Sequence, residues 1–228
     1  MCFSPTASFI AGTALSVVGI ATIKRTTRRV EIPFAAIPLL FGIQQLIEGL
    51  IWLSFREASP LPNTVLTFIY SLFSHVLWPI YVPFAVRRLE TVPWRRNALA
   101  ASQIAGAAVG LYLLYFIVQF AVTSRVLGKH IVYESPHFYA VVVMVLYVFG
   151  ACGGCLLSSS RIIQAFGALL LATFVAAYVI HAATLFSMWC FFAAIMSFIV
   201  YAYFRHLHMA AQGLCRPRAT CSTRKPAQ

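Results

Sequence analysis

The sequence predicts an all-α membrane protein, a bundle of seven transmembrane helices. Three observations support this: 61% of the 228 residues are hydrophobic, only 10% are charged, and the mean hydropathy is +0.85. Soluble domains are roughly 45–50% apolar and about 25% charged. The composition therefore excludes a soluble domain. It also excludes disordered and collagen-like chains, which need polar or repetitive sequences.

Charged residues mark where the helices end, because a spanning helix needs about 20 consecutive apolar residues. The charge-free stretch from Arg161 to Arg205 is long enough for two helices joined by a tight turn, placed between Thr184 and Ser187. The predicted helices are Thr6 to Ile23, Pro33 to Phe55, Thr64 to Val86, Asn97 to Val122, His137 to Ser158, Ile162 to Leu185 and Phe186 to Phe204. Residues 1–204 thus form the predicted transmembrane domain, and residues 205–228 a basic, disordered cytoplasmic tail.

The positions of the basic residues predict the orientation. If the chain crosses the membrane seven times, fourteen of the 17 Lys and Arg residues fall on the same side of the membrane as the carboxy terminus. Because short cytoplasmic loops retain Lys and Arg, we expect the amino terminus outside and the carboxy terminus in the cytoplasm, in a plasma or bacterial inner membrane. The net charge of +12 is then explained by anionic lipid headgroups as partners, without nucleic acid. Oligomerisation stays open.

Helix two carries the only carboxylate inside a predicted span, Glu48, and the chain contains no Asp. Gln44 and Gln45 precede it by four and three residues, so all three share roughly one helix face. Polar residues at membrane depth are functional hypotheses by default. We therefore expect helix two to contribute a polar stripe to a functional site.

Helix three carries a second group of polar residues. Ser71 and His75 are four residues apart and can share one face, and Trp78 follows them. Pro79 and Pro83 come next, and their missing N–H groups free carbonyls near the Ser-His pair. At 1.5 Å per residue, His75 lies at a depth similar to that of helix two's carboxylate.

These residues predict a polar centre on helices two, three and seven, formed by Gln44, Gln45, Glu48, Ser71, His75 and Trp78. His181 and His137 would border it. Three functions stay open at this stage: binding or transport of a small solute, proton or ion; a metal-binding, hydrolase-like enzyme; and a structural role in helix packing. An enzyme would use Cys2, Glu48, His75 and Cys190 as metal ligands or acid–base groups.

The cysteines and lysines bear on cofactors. Cys2 and Cys190 both lie toward the outer face in the predicted topology, where they either pair, share a metal or remain unrelated thiols. Cys152 and Cys155 belong to a run of small residues that lets another helix approach closely. No predicted helix contains Lys, which excludes a retinal Schiff base. Any cofactor is otherwise unknown, and a metal stays open.

Four segments carry a resemblance to a known family: MCFSPTASF at the start, IPLLFGIQQLIEGLIWL in helix two, SHVLWPIYVPFAV in helix three and SMWCFFAA in helix seven. Together they resemble a family of uncharacterised bacterial multi-pass membrane proteins that open with MCFS and carry a QQxxEGxxW helix. The likeness extends to about Phe204. It implies an integral membrane protein whose characteristic residues include Trp52, Trp189 and the polar residues named above, and it implies no activity.

Overall fold

The computed structural model describes residues 4–128, 130–134, 141–181 and 184–214, and seven helices follow one another through them. Within these residues, six helices are long and apolar enough to cross a membrane, and the fifth is a shorter apolar helix. The all-α, multi-pass architecture is confirmed. The helices are α1 (Pro5–Ile23), α2 (Ile37–Arg56, preceded by the short helical segments Arg29–Glu31 and Ile32–Ala35), α3 (Pro60–Leu89), α4 (Pro93–Gln119), α5 (Val141–Leu156), α6 (Arg161–His181) and α7 (Leu185–Met196 and Phe198–Leu214).

Several predicted boundaries need correction. Leu185 is the first residue of α7, not the last of helix six, and α4 ends at Gln119 instead of Val122. The last helix continues past Phe204 to Leu214, so the first part of the predicted disordered tail is helical. Its alanines and leucines are strong helix formers. Residues 215–228 lie outside the described residues, as does the predicted start of helix five at His137.

Glycines allow α1 and α2 to pack backbone against backbone. Gly12 and Gly19 of α1 lie against Leu46 and Leu39 of α2, and Gly42 and Gly49 of α2 lie against Ser16 and Phe9 of α1. A Cβ atom added to Gly19 would lie 2.4 Å from the backbone nitrogen of Leu39, and one added to Gly42 would lie 2.9 Å from the carbonyl oxygen of Gly12. Small residues at such contacts are how helices associate in lipid, where burial of apolar side chains supplies no driving force between them.

A second close contact joins α3, α4 and α5 around the carbonyl of Pro79. A Cβ atom on Gly106 would lie 1.8 Å from this oxygen, and one on Gly150 would lie 3.0 Å from it. The carbonyl is free to approach other backbones because Pro83, four residues later, has no N–H to donate. Gly150 belongs to the small-residue run that includes Cys152, so the predicted packing role of that run is confirmed.

Two π-helical segments interrupt the spans, Leu72–Leu77 in α3 and Phe149–Gly153 in α5. In the π register, the carbonyl of Ser74 would receive the N–H of Pro79, which does not exist. The hydroxyl of Tyr147 in α5 donates to this carbonyl instead. The carbonyl of Ser74, which Pro79 leaves without a helical N–H, is thus satisfied from a neighbouring helix.

A β-hairpin stands where the sequence analysis placed only a loop, between α4 and α5. Its strands β1 (Thr123–Leu127) and β2 (His130–Glu134) pair antiparallel, and Gly128 adopts a φ of +60° at the turn. We call the end of the bundle that carries this hairpin and the α2–α3 connection the hairpin end. The opposite end carries the connections after α1, α3 and α5, together with the Lys and Arg residues that lie in or next to them, and we call it the basic end.

Glu90 ties two connections together at the basic end. Its Oε1 accepts from the N–H groups of Thr91 at 3.1 Å and Val92 at 3.0 Å, and its Oε2 accepts from the N–H of Ser159 at 2.7 Å. The side chain of Arg95 crosses in the same direction and donates to the carbonyl of Ser158 at 2.7 Å. The α3–α4 and α5–α6 connections are therefore held as one unit.

This arrangement predicts an acid-dependent loss of stability. Burial raises the pKa of Glu90, but the hydrogen bonds from Val92, Ser159 and Thr91 lower it more, so the pKa lies below its ordinary value of 4.5. Because the pKa is lower in the folded state than in the unfolded state, the ionised carboxylate stabilises the folded state at pH values above the ordinary pKa. This stabilisation is lost as the pH falls through the lowered pKa. We expect the thermal midpoint of the protein in detergent to drop with acid below about pH 4.5, and less steeply in Glu90→Gln. Glu57→Gln, at an exposed loop position, is the control. Equal acid dependence of Glu90→Gln and the unchanged protein would contradict the prediction.

Candidate functional site

Glu48 lies in α2 and is completely buried. It precedes the helix end at Arg56 by eight residues, which is about 12 Å along the axis. Its Oε1 accepts from the hydroxyl of Ser187 at 2.8 Å, and its Oε2 accepts from Nε2 of Gln45 at 3.3 Å. Because Ser187 stands near the start of α7, the carboxyl group joins α2 to α7 in the half of the bundle nearer the hairpin end.

The two adjacent glutamines face different neighbours. Gln45 donates to Glu48, whereas Oε1 of Gln44 accepts from the indole Nε1 of Trp78 in α3 at 2.7 Å. Trp78 is held in place by stacking on Phe41, with ring centroids 3.8 Å apart. The predicted polar stripe on α2 therefore connects to α3 on one side and to α7 on the other.

Some polar atoms of this centre lack hydrogen bonds within the described part of the chain. They are Nε2 of Gln44, Oε1 of Gln45, Oγ of Ser71 and Nε1 of Trp52, all buried. Gln44 also lies beside the thiol of Cys190 in α7, and this thiol lies close to Glu48. An unsatisfied buried polar group costs about 1–3 kcal/mol. The centre thus holds more donors and acceptors than its own packing uses.

His75 lies in the π-helical segment of α3 and is completely buried. Its Nδ1 lies 2.7 Å from the hydroxyl of Ser74, and its ring contacts Phe186 of α7 at a centroid distance of 4.0 Å. The imidazole also interacts with the backbone carbonyl of Ser71, four residues earlier in the chain. His75 therefore reaches α7 through Phe186, the chain neighbour of the serine that binds Glu48.

Two tyrosines that the sequence analysis missed complete the surroundings. Tyr133 of β2 stacks on Tyr70 of α3, with ring centroids 4.3 Å apart and planes 12° from parallel. The hydroxyl of Tyr70 interacts with the thiol of Cys190. The run His-Ile-Val-Tyr-Glu at 130–134 is rich in β-branched and aromatic residues, a pattern typical of a strand. This pattern could have predicted the strand that carries Tyr133.

The comparisons with known proteins identify the family. A protein-family sequence model, described as a family of unknown function (DUF6629), matches residues 1–214. The chain belongs to this family. The match includes all seven helices, and the expected membership in an uncharacterised family is confirmed. Comparison with curated proteins found no similar sequence, and comparison with solved structures found no similar fold.

The fold brings together most of the predicted site residues. Gln44, Gln45, Glu48, Trp78 and Cys190 lie around one junction of α2, α3 and α7, to which the structure adds a serine from α7. Among the described residues, no three His, Cys, Asp or Glu side chains are placed to hold a metal ion. Cys2 and His137 lie outside the described residues. His181 ends α6, and its side chain is not described either.

The space beside the centre is small. A cavity of about 20 Å³ touches Trp78 and Cys190, which is enough for roughly one water-sized particle. A much larger groove of about 760 Å³ runs between α5 and α6, lined almost entirely by apolar side chains such as Val145 and Phe174. Neither of these two spaces is lined by Glu48, Gln44 or Gln45.

The Gln44–Trp78 hydrogen bond yields a stability prediction. Trp78→Phe keeps an aromatic ring against Phe41 but removes the N–H that Gln44 accepts, so we expect a loss of about 0.6–1.7 kcal/mol in the free energy of unfolding. Trp94→Phe is the matched control, because Trp94 is 61% exposed at the basic end, and we expect it to change stability by less than about 0.5 kcal/mol. Reversible unfolding in mixed micelles measures both. Equal values for the two variants would contradict the assigned hydrogen bond.

Proposed function

We propose that the protein binds a proton, a small cation or another small polar solute at Glu48 and moves it across the membrane. The polar centre on α2, α3 and α7 is the binding site in this proposal. The observation that carries it is the pair of buried amide atoms next to the carboxyl group, Nε2 of Gln44 and Oε1 of Gln45, which lack hydrogen bonds within the described part of the chain.

A purely structural cluster accounts poorly for these atoms. Buried polar groups in native proteins are almost always paired, and those that are not call for a reason such as a bound water or ion. Here a donor of Gln44 and an acceptor of Gln45 remain, one turn before a carboxyl group that neutral groups, Ser187 and Gln45, hold in place. Carboxylate and amide oxygens are also the ligands that hard cations prefer.

The orientation of the bundle is part of the proposal. Two arginines at the basic end contact other segments of the bundle: Arg25 lies over the ring of Tyr201 in α7 at 5.2 Å, and Arg95 of α4 donates to the carbonyl of Leu157 at 3.1 Å. Because cytoplasmic loops retain positive charge, the basic end faces the cytoplasm of a bacterial inner membrane, against its anionic lipids. The hairpin end faces outward, and Glu48 lies nearer to this end than to the basic end.

Reporter fusions test the orientation. Fusions after Arg29, Arg96 and Arg161 should report a cytoplasmic position, because these sites lie among the basic residues of the basic end and cytoplasmic segments retain positive charge. Fusions after Glu57 and within the hairpin after Gly128 should report an external position. A cytoplasmic signal from the hairpin would overturn the proposed orientation.

Substitutions of Glu48 test the function. Glu48→Gln keeps the shape and the hydrogen bonding but removes the titrating group, so proton or cation movement should be lost while the fold is retained. Glu48→Leu also removes the bond to Ser187 and should destabilise the bundle by about 1–2 kcal/mol. Flux is measured in proteoliposomes that contain a pH-sensitive dye, under an imposed potential and then under a Na⁺ gradient. Infrared difference spectra against pH report the carboxyl group directly.

The matched control is Glu57→Gln, which removes a carboxyl group from an exposed loop at the hairpin end. It should keep both the flux and the titrating infrared band. If Glu48→Gln and Glu48→Leu are tolerated equally in flux, spectrum and stability, the proposed function is wrong and Glu48 is an incidental polar residue.

A further inference from the structure

The β-hairpin covers the hairpin end of the bundle, and one of its two strands faces the helices. In β2 the three central residues, Ile131, Val132 and Tyr133, are buried, whereas β1 is largely exposed. The inner strand contacts the start of α7, where Ser187 binds Glu48. Because a two-stranded hairpin has little stability of its own, contacts with the helices must hold it in this position.

An aromatic stack forms the layer between the hairpin and the polar centre. Tyr133 lies flat on Tyr70, and both rings belong to a small apolar cluster with Ile131, Ile51 and Trp52, separate from the main core. On its far side, Tyr70 interacts with Cys190, which lies beside Gln44 and close to Glu48. One stacked pair of rings thus lies between a surface strand and the residues of the proposed binding site.

Neutral hydrogen bonds fasten the other strand. Ser124 of β1 lies 2.7 Å from the hydroxyl of Thr67 and donates to Asn63 at 3.1 Å, and Asn63 in turn donates to Ser54 at 2.9 Å. We call these four residues the latch. Two of the four, Asn63 and Ser124, are only partly buried, and hydrogen bonds of partly exposed residues open more readily than a packed core. The helices, by contrast, meet backbone to backbone, as at Gly106 and Pro79.

We propose that the hairpin is a gate, which opens by separation of the Tyr70–Tyr133 stack and the latch to admit water and small polar or cationic ligands to the polar centre. The identity of what passes rests on the proposed function, whereas the movement itself does not. When the hairpin lies against the helices, Cys190 is buried. Opening exposes its thiol to water-soluble reagents.

The experiment measures how fast a charged, water-soluble methanethiosulfonate reagent modifies Cys190. The full-length protein is held in lipid nanodiscs, which expose both faces, and mass spectrometry quantifies the peptide that contains Cys190. Tyr133→Ala removes the stack and should raise the rate about tenfold or more, because the rate follows the open population. The control is Val126→Ala, on the outward strand of the same hairpin and 42% exposed, which should stay within about twofold.

A lock tests the same movement in the opposite direction. Thr67→Cys combined with Ser124→Cys places two thiols where oxygens now lie 2.7 Å apart, within reach of a disulfide. Oxidation should lower modification of Cys190 about tenfold relative to the single variant Ser124→Cys treated in the same way. An unchanged rate in the oxidised double variant, or equal rates for Tyr133→Ala and Val126→Ala, would overturn the gate.

The two proposals fail separately. Because the readout is the thiol of Cys190, it does not depend on ligand binding at Glu48. If oxidation of the double variant lowers the rate of Cys190 modification but Glu48→Gln leaves the flux unchanged, the gate is supported and the proposed function is wrong. If Glu48→Gln abolishes the flux but oxidation of the double variant leaves the rate of Cys190 modification unchanged, the proposed function is supported and the gate is wrong.

Discussion

Lipid offers no hydrogen bonds, so a polar group inside this bundle needs its partner from another part of the chain. Several contacts between helices follow from that constraint. The hydroxyl of Tyr147 in α5 donates to the carbonyl of Ser74, because Pro79 has no N–H to donate to it. The indole of Trp78 donates to Gln44, and Ser187 donates to Glu48. Each of these bonds joins a different pair of helices, so the same interactions that satisfy polar groups also define which helices are neighbours.

The exceptions to this constraint are as informative as the rule. Around Glu48, the amide atoms of Gln44 and Gln45 and the hydroxyl of Ser71 are buried without hydrogen bonds inside the described part of the chain. They lie near the π-helical segment of α3, and such segments occur frequently at functional sites. A junction of three helices with a carboxyl group and surplus donors and acceptors is suited to binding a small polar ligand. For this reason the proposed function is centred here and not at the larger apolar groove between α5 and α6.

The two ends of the bundle are held by different chemistry. At the basic end, Glu90 receives three backbone N–H groups and Arg95 reaches two backbone carbonyls, so charged hydrogen bonds hold the α3–α4 and α5–α6 connections together. At the hairpin end, an aromatic stack and neutral hydroxyl and amide bonds hold the hairpin. Charge-assisted bonds are roughly twice as strong as neutral ones. Any opening of the bundle toward water is therefore expected at the hairpin end, the end nearer to Glu48.

The sequence by itself determined the all-α membrane class, seven helices and the position of Glu48 within one of them. It could do so because partition into lipid depends on the local composition of about 20 residues at a time. Local spacing also placed Gln45 next to Glu48 and Ser71 next to His75. Only the tertiary structure decided that Glu48 binds Ser187, 139 residues further along the chain, that Gln44 turns instead to Trp78, and that Tyr133 stacks on Tyr70. Those pairings depend on how whole helices pack against one another, which is a property of the assembled bundle that local sequence spacing does not contain.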